Sequence, residues 1–466
     1  MNSFNLKPVS PDGYWLFHYG SLELARVEAN GIRIDVDYLK SALKRIEKKI
    51  KKKENKIKDG EVWQVWKKRF GLKSNLASHD QLATILFQEM EYKSDVKTAT
   101  GKNKVDESTL EGLDIPFVKD YLSLFKLKKA GTTYLKGILR QTEDGFLHPV
   151  FNLHLVKTFR SSSDSPNFQN MPVRNPIVSK IVRKCFIARE GYQFGEIDFG
   201  SIEVRVAACY HKDPTMIKYI EDPSTDMHRD MAMQIFKLKE KHVDNKTHRY
   251  SAKNKFVFPQ FYGDYYVSCA KHLWEDIEKL GMKGPDDEPL KEYLKYKSIY
   301  ELGLCDPKEE PEANTFEHHL KKVENDFWNN RFKVYNQWKK DWWDRYQKKG
   351  MLSLLTGFEI RSILNRKEAI NYPVQGAAFH CLLWSLIQLN RWLRSNKMKT
   401  MIIGQIHDSI VLDIYIPERD EVLGKAKEIM TKDILKHYSW IIVPFEVEAE
   451  ISPEGTSWYD KQEVKI

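Results

Sequence analysis

Ile197-Asp198-Phe199-Gly200-Ser201-Ile202-Glu203-Val204-Arg205 is the stretch on which the reading of this chain turns. Phe194 to Ile197 is a short apolar run that reads as a strand, and a helix is predicted to start near Ile202. The strand carries Asp198 to its end, where a carboxylate on a rigid scaffold suits a hard cation. Alone, an aspartate ahead of Gly-Ser reads more readily as a helix cap. A second carboxylate changes that balance. Met401 to Gly404 and Ser409 to Ile416 are β-rich runs flanking Gln405-Ile406-His407-Asp408, a predicted tight hairpin with Asp408 at its tip. Between the two carboxylates lies His248-Arg249-Tyr250-Ser251-Ala252-Lys253, leading to Phe261-Tyr262-Gly263. Arg249 and Lys253 are four apart, so a helix presents both cations on one face. Two carboxylates for metal and a cationic helix face are the equipment of phosphoryl transfer.

In this order, Asp198 to Arg205, Arg249-x-x-x-Lys253 leading to Tyr262-Gly263, and His407-Asp408-Ser409 resemble motifs A, B and C of the family A DNA polymerases, the DNA polymerase I type. Ser161 to Pro172 resembles that family's primer–template segment with one extra residue, and Asn371-Tyr372-Pro373-Val374-Gln375-Gly376 resembles a further signature. The likeness runs from about Leu22 almost to the C-terminus. It implies an α+β right-hand polymerase fold with an antiparallel-sheet palm, helical fingers and a helical thumb. The expected division is an irregular N-terminal lead over 1–20, thumb over 21–150, and palm over 151–210. Fingers follow over 211–350, with an insertion near 281–317, and the second part of the palm over 351–466. The compact, insertion-bearing form hints at a viral or mobile-element replicase.

The resemblance also implies roles. Asp198, Asp408 and the Phe199 carbonyl would bind two Mg²⁺ ions, for which Mn²⁺ can substitute. His228, Arg249 and Lys253 would neutralise the triphosphate of a dNTP, with Lys253 placed to protonate the leaving pyrophosphate. Glu203 would sit under the sugar and exclude a 2′-hydroxyl, and Tyr262 would join it at the nucleotide. Arg160, Gln169, Asn170, Asn371, Gln375 and His407 would hold primer–template DNA. Two departures stand out. Ser409 occupies a position where many relatives have Glu. Motif B holds one residue more than usual between Lys253 and Tyr262, with Pro259 inside, so the helix is expected to kink or end near Phe258. Counting back from Tyr262 puts Phe258 at the position that influences sugar choice, whereas counting forward from Lys253 gives Val257. The chain begins where the family's polymerase region begins, so no 3′–5′ exonuclease domain is expected on it. A separate exonuclease or processivity factor is the partner class left open.

The remaining residues set outer bounds. A chain of 466 residues exceeds one ordinary core, and 41% hydrophobic with 12% aromatic residues excludes a disordered chain. A formal charge of +10 favours a polyanionic partner. Five cysteines without Cys-x-x-Cys spacing fit a reduced, cytoplasmic interior. Met1 to Tyr19 has no signal-peptide pattern, and no apolar run approaches the roughly 20 residues of a membrane helix. Leu39, Leu43, Ile46, Ile50 and Ile57 form one helical stripe, and Lys44 to Lys58 holds nine basic and two acidic residues. That helix is either a solvated face or, in a thumb, a phosphate-tracking one. Lys97 to Asp106 reads as a mobile loop and Val443 to Ile451 as a strand. Trp328, Trp338, Trp342 and Trp343 read first as core. The rivals are a single-subunit RNA polymerase, against which Glu203 argues, and a catalytically inactive nucleic-acid-binding factor, against which both carboxylates argue.

Overall fold

Strand-forming residues dominate five segments, and in the computed structural model these make one antiparallel sheet. The structure describes residues 9–93, 103–113, 115–173, 175–299 and 313–466. The strands are β1 (Tyr192–Phe199), β2 (Met401–Ile406), β3 (Ser409–Tyr415), β4 (Val447–Ile451) and β5 (Gln462–Val464), in the order β5-β4-β1-β3-β2. Six of the seven β3 residues are buried, as a continuous β-branched run predicts for a central strand. On β1 the pleat alternates. Ile197 and Phe199 enter the core, while Glu196 and Asp198 point to the other face. Asp198 pairs with Ser409 on one side and Glu448 on the other, which fixes the register around the first carboxylate.

Six helices position the site and its flanks: α1 (Pro11–Asn30), α2 (Val36–Asp59), α3 (Pro116–Lys129), α4 (Ile202–His211), α5 (Met227–Phe236) and α6 (Arg366–Ser395). The 30-residue α6 opens with a capping box between Asn365 and Glu368 and packs α1 along its length. Gly20 permits that approach, since a Cβ there would meet the Leu383 side chain at 2.8 Å. The buried Glu23 carboxylate accepts from Asn390 Nδ2 at 2.8 Å and from Arg394 Nη2 at 3.0 Å.

The expected irregular lead over 1–20 is corrected here. Helix α1 already begins at Pro11, because Ser10 Oγ accepts from the Gly13 amide at 3.1 Å and proline at the first helical position sacrifices no hydrogen bond. Asn30 then donates to the Ile402 carbonyl, so α1 is anchored to the sheet. The expected strand over Val443 to Ile451 forms only from Val447, since Pro444 cannot donate to a ladder. The hairpin is tighter than expected. Ile406 pairs with Ser409, leaving His407-Asp408 as a two-residue turn.

Three buried apolar clusters organise the rest. One surrounds the sheet, α1 and α6. A second gathers Met231, Phe236, Phe256, Trp274, Phe327 and Phe332. A third contains Trp66, Leu82, Ile85 and Leu124. The α2 stripe links two of them, with Leu39, Leu43 and Ile46 in the first and Ile57 in the third. Trp328 and Trp342 are buried, and Trp338 and Trp343 are half-buried, so these tryptophans are packing residues. Asp213, almost wholly buried, caps two helices. One carboxylate oxygen accepts from the Thr215 and Met216 amides, the other from Val334 and Tyr335 at 3.0 Å each. Much of the expected loop over 97–106, and 300–312 of the expected insertion, lie outside the described residues. The near flank of the insertion is tied down by the buried Glu317, which accepts from Ser298 Oγ and the Ile299 amide.

Candidate active site

Adjacent strand ends bring the two carboxylates together. The Phe199 amide donates to the Asp408 carbonyl at 3.2 Å, so the end of β1 and the β2–β3 turn are hydrogen-bonded to each other. The Phe199 ring lies in the core against Phe445, fixing the backbone beside Asp198. Both turns carry a non-glycine residue in the left-handed region, Ser201 at φ 52° and His407 at φ 49°. Such conformations cost on the order of 1 kcal/mol and persist where the surroundings over-determine them. Arg205 is one such constraint. Its buried guanidinium donates to the Gly200 carbonyl at 3.0 Å, to the Pro444 carbonyl at 2.5 Å, and pairs with Glu446.

Electrostatics at the pair favours a bound cation. Asp198 is an exposed residue, yet the protein packed around its carboxylate partly withdraws it from water. That desolvation, then the charges of Asp408, Glu196 and Glu448, raises its pKa to about 7. Asp408 is raised to about 6, again by burial, with Arg160 opposing. Asp408 Oδ1 is buried without a hydrogen bond, and its nearest cation, Arg160 Nη2, is 4.0 Å away. Two anionic ligands whose charge is penalised and one unmatched carboxylate oxygen fit a divalent cation. Among the described residues no cluster of three or more His, Cys, Asp or Glu side chains is set to hold metal. A small hard ion bound through two carboxylates, with water and substrate phosphates completing its shell, is compatible with that.

A cavity of about 540 Å³ opens beside Asp408, lined by Asp408, His407, Glu203, Tyr262, Phe258 and Asn371 among others. Larger hollows, about 700 and 670 Å³, lie along α2 and contain none of the motif residues. Within the site cavity Glu203 is held from two sides. Tyr262 donates its hydroxyl at 2.8 Å, and Arg160 forms an ion pair. Arg160 Nε also reaches the Gln375 carbonyl at 3.4 Å, and Asn371 Nδ2 the Tyr262 carbonyl at 3.4 Å. Glu203, in the first turn of α4, is therefore not the solvent-facing glutamate of an ordinary amphipathic helix.

The cationic helix is continuous but not uniform. His248–Ser251 is α-helical, Ala252–Val257 is a π-segment, and Phe258–Phe261 is α-helical again. A π-segment accommodates one extra residue per turn, and the helix runs on through Pro259 to Phe261 instead of ending near Phe258. The two counted positions differ in their surroundings. Val257 is fully buried, whereas Phe258 faces the cavity, its ring 5.7 Å from that of His228 and 5.3 Å from Lys253 Nζ. Arg249 Nε donates to Asp226 Oδ2 at 2.6 Å, while the other Asp226 oxygen caps α5 at the His228 and Arg229 amides. His228 has its pKa lowered to about 4 by burial, then by Lys253 and Arg249. The unliganded chain therefore holds His228 in its neutral form at pH 7.

The primer–template candidates divide. Gln169 Nε2 donates to Ser161 Oγ at 2.8 Å and Gln405 Oε1 at 2.6 Å, and Gln405 Nε2 donates to the His407 carbonyl at 2.7 Å. Gln169 thus supports the turn from inside the protein. Asn170 and His407 are exposed. Sequence reasoning missed Asp226, Gln405, Ser161 and Arg205 as parts of the site. Of these, Arg205 carried a usable signal, a cation one helical turn past the turn it clamps.

The two carboxylates thus sit at one end of the central strands of an antiparallel sheet, β1 and β3. The POL domain of Pol1 from M. smegmatis, solved in complex with DNA primer-template and dNTP, superposes with a TM-score of 0.74 at 23% identity, covering 95% of this chain and 70% of that one. The fold is accordingly the right-hand polymerase fold, with an antiparallel palm and helical fingers and thumb. The sequence model of DNA polymerase family A matches residues 37–280 and 347–460, and the chain belongs to that family. The unmatched 281–346 begins where the insertion was expected. Similar curated proteins include the thermostable DNA polymerase I of Thermus aquaticus, 28% identical across 95% of this chain and 48% of its own. DNA polymerase I of Lactococcus lactis subsp. lactis is 26% identical across 94% and 44%, and the DNA polymerase of Bacillus phage SP01 is 26% identical across 88% and 46%. The chain spans about half the length of the curated relatives it matches. Among the described residues no helix is long and apolar enough to cross a membrane.

Proposed function

We propose that this chain is a template-directed DNA polymerase that adds deoxynucleotides to a primer 3′-hydroxyl. The observation that carries the reading is the hydrogen-bonded pairing of the Asp198 strand end with the Asp408 turn, beside a cavity lined by Asp408, Glu203 and, from the cationic helix, Phe258 and Phe261. Primer–template DNA and dNTPs are the partners, as in the complex of the structural neighbour. The fingers would span 211–350 and the palm 151–210 and 351–466; α1, from Pro11 to Asn30, packs on the palm, so the thumb would begin after it and run to about 150.

Asp198 and Asp408, with the Phe199 carbonyl beside them, would hold Mg²⁺ or, in its place, Mn²⁺. Bound there, the metal supplies Lewis-acid stabilisation of charge developing on the phosphoryl oxygens. Lys253 and Arg249 meet the triphosphate tail, Arg249 by exchanging its bond to Asp226 for one to phosphate. Neutral His228 adds a hydrogen bond rather than a charge. Lys253 protonates the departing pyrophosphate. Tyr262 and Phe258 flank the nucleotide, and Glu203, fixed by Arg160 and Tyr262, closes the space a 2′-hydroxyl would need. Asn371, Gln375, His407, Arg160 and Asn170 face the primer–template, with Gln169 acting through Gln405.

Primer extension on a defined template tests this. The parent chain with Mg²⁺ should extend with dNTPs and not with rNTPs. Asp408→Ala should lower nucleotide addition by at least about a thousand-fold, the scale of losing a metal-based electrostatic element, while retaining DNA affinity. Extension by Asp408→Ala at more than a small fraction of the parent rate would overturn the assignment.

A further inference from the structure

Two residues before Asp198, on the same face of β1, sits a carboxylate that no step of nucleotide addition uses. Glu196 is mostly buried, with a side chain 15% exposed. Its Oε1 accepts from Ser409 Oγ at 2.7 Å. Its Oε2 accepts from Trp458 Nε1 at 3.1 Å and forms an ion pair with Lys461, whose ammonium also reaches Glu450 Oε2 at 2.7 Å. The Lys461 side chain is only 7% exposed, so this is no surface pair. The Arg183 guanidinium lies over the Trp458 ring at 3.9 Å, holding the indole that donates to Glu196.

A buried ion pair is weak evidence for stability, because desolvating both charges offsets their attraction. Its location is more telling. Ser409 follows Asp408 directly and lies opposite Asp198 in the ladder, so the Ser409 hydroxyl links Glu196 to the turn that carries Asp408. That hydroxyl has a second acceptor in reach, the Ile406 carbonyl at 3.0 Å within its own turn. One proton serves one strong bond. The ionised Glu196, nearer and charged, outcompetes the carbonyl. Without Glu196 the hydroxyl falls back on Ile406, and the turn keeps only its backbone bonds to β1, at the Phe199 amide and the Ser409 pair.

Resting on the polymerase reading, we propose that Glu196, anchored by Lys461 and Trp458, is a positioning residue that holds Asp408 in register with Asp198 through the Ser409 hydroxyl. It touches no substrate atom. Its contribution is to limit the play between two carboxylates that must share a cation, the kind of outer support whose loss weakens metal binding roughly 10–100-fold.

The test uses the whole chain with Ser409→Ala, Ser409→Thr and Glu196→Gln, and Mn²⁺ as the probe. Mn²⁺ affinity is measured without DNA, from the electron paramagnetic resonance signal of the free ion, and single-turnover dNTP addition is measured separately. Ser409→Ala, which leaves the Glu196–Lys461 pair intact, should weaken Mn²⁺ binding roughly ten-fold. It should lower the maximal rate of addition with KM for dNTP within about two-fold, and Ser409→Thr should restore both. Glu196→Gln, whose neutral amide oxygen competes with the Ile406 carbonyl as an equal, should weaken Mn²⁺ binding less than Ser409→Ala, and the double variant should be no worse than Ser409→Ala, because Glu196 acts through the same hydroxyl. Parental Mn²⁺ affinity in a folded Ser409→Ala chain would overturn the proposal, as would a loss that Ser409→Thr fails to restore. A parent chain that extends no primer would instead overturn the polymerase reading, and this proposal with it.

Discussion

Glu203 shows how a single side chain acquires a function from what fixes it. A lone glutamate at the start of a helix would add only a favourable dipole interaction, a few tenths of a kcal/mol. Here Arg160 and Tyr262 converge on its two oxygens at the edge of the nucleotide-sized cavity. Replacing it with Ala should therefore open space beside the sugar and leave Arg160 free to move. The ratio of incorporation efficiencies for dATP over ATP opposite a template T should fall by roughly ten-fold or more, the scale set by one steric or hydrogen-bonding group in a pocket. An unchanged ratio would mean that Glu203 serves only to tie Arg160 to Tyr262.

At the scale of elements, helix irregularity and helix burial each leave a measurable trace. The cationic helix runs through its π-segment and Pro259 without losing the face that presents Lys253 and Phe258. Helix α6 is buried deeply enough to suppress a titration. His380 lies wholly inside, its Nδ1 2.5 Å from Thr356 Oγ1 and its ring packed on Phe358. Burial lowers its pKa to about 3, against about 6.5 in an unfolded chain. Between those values the unfolded chain binds a proton that the folded chain does not. His380 therefore stabilises the fold fully above pH 6.5, and that contribution is lost as pH falls toward 3. His211, lowered to about 3 in the same way, acts in the same direction. Asp198 and Asp408, raised to about 7 and about 6, act in the opposite direction, so urea titrations must compare the parent with a His380 variant across about pH 6.5 to 4. His380→Gln should reduce the slope by about 1.4 kcal/mol per pH unit, the value of one proton. Parallel pH profiles would show that His380 is not buried in its neutral form.

For the whole molecule, the question is where the positive charge meets DNA. On α2, Lys53 and Lys56 are paired with Asp120 of α3, at 3.1 and 2.6 Å, so they brace two helices against each other. Lys44, Lys48, Lys51 and Lys52 are exposed, and none has an ion-pair partner among the described residues. If these four track duplex phosphates, changing all of them to Gln should weaken DNA binding whatever the sequence. The slope of log affinity against log salt should fall by up to about 3.6, at roughly 0.9 per contact. Addition of one nucleotide at saturating DNA should hold its rate, while products of a single binding event shorten. Equal salt slopes and product lengths would leave α2 as a solvated face.

The sequence by itself determined the family and the fold, because the motifs that mark them rest on local order. A strand delivering Asp198, a hairpin delivering Asp408, and two cations four apart on a helix are all readable from spacing. So was the α2 stripe. What depended on partners hundreds of residues away was decided only by the tertiary structure. Pro11 reads as irregular until α1 is seen packed on α6, and the motif B helix reads as ending near Phe258 until it is seen to run on to Phe261. His228 is expected as a cation from its type, and in the unliganded chain burial beside Lys253 and Arg249 holds it neutral. Gln169 is expected at DNA, and its contacts with Ser161 and Gln405 turn it inward. Glu196 is invisible as more than a strand residue until Ser409, Trp458 and Lys461 close around it. Side-chain type and periodicity are local properties of the chain. Desolvation and hydrogen-bond competition are properties of the folded surroundings, which no local pattern encodes.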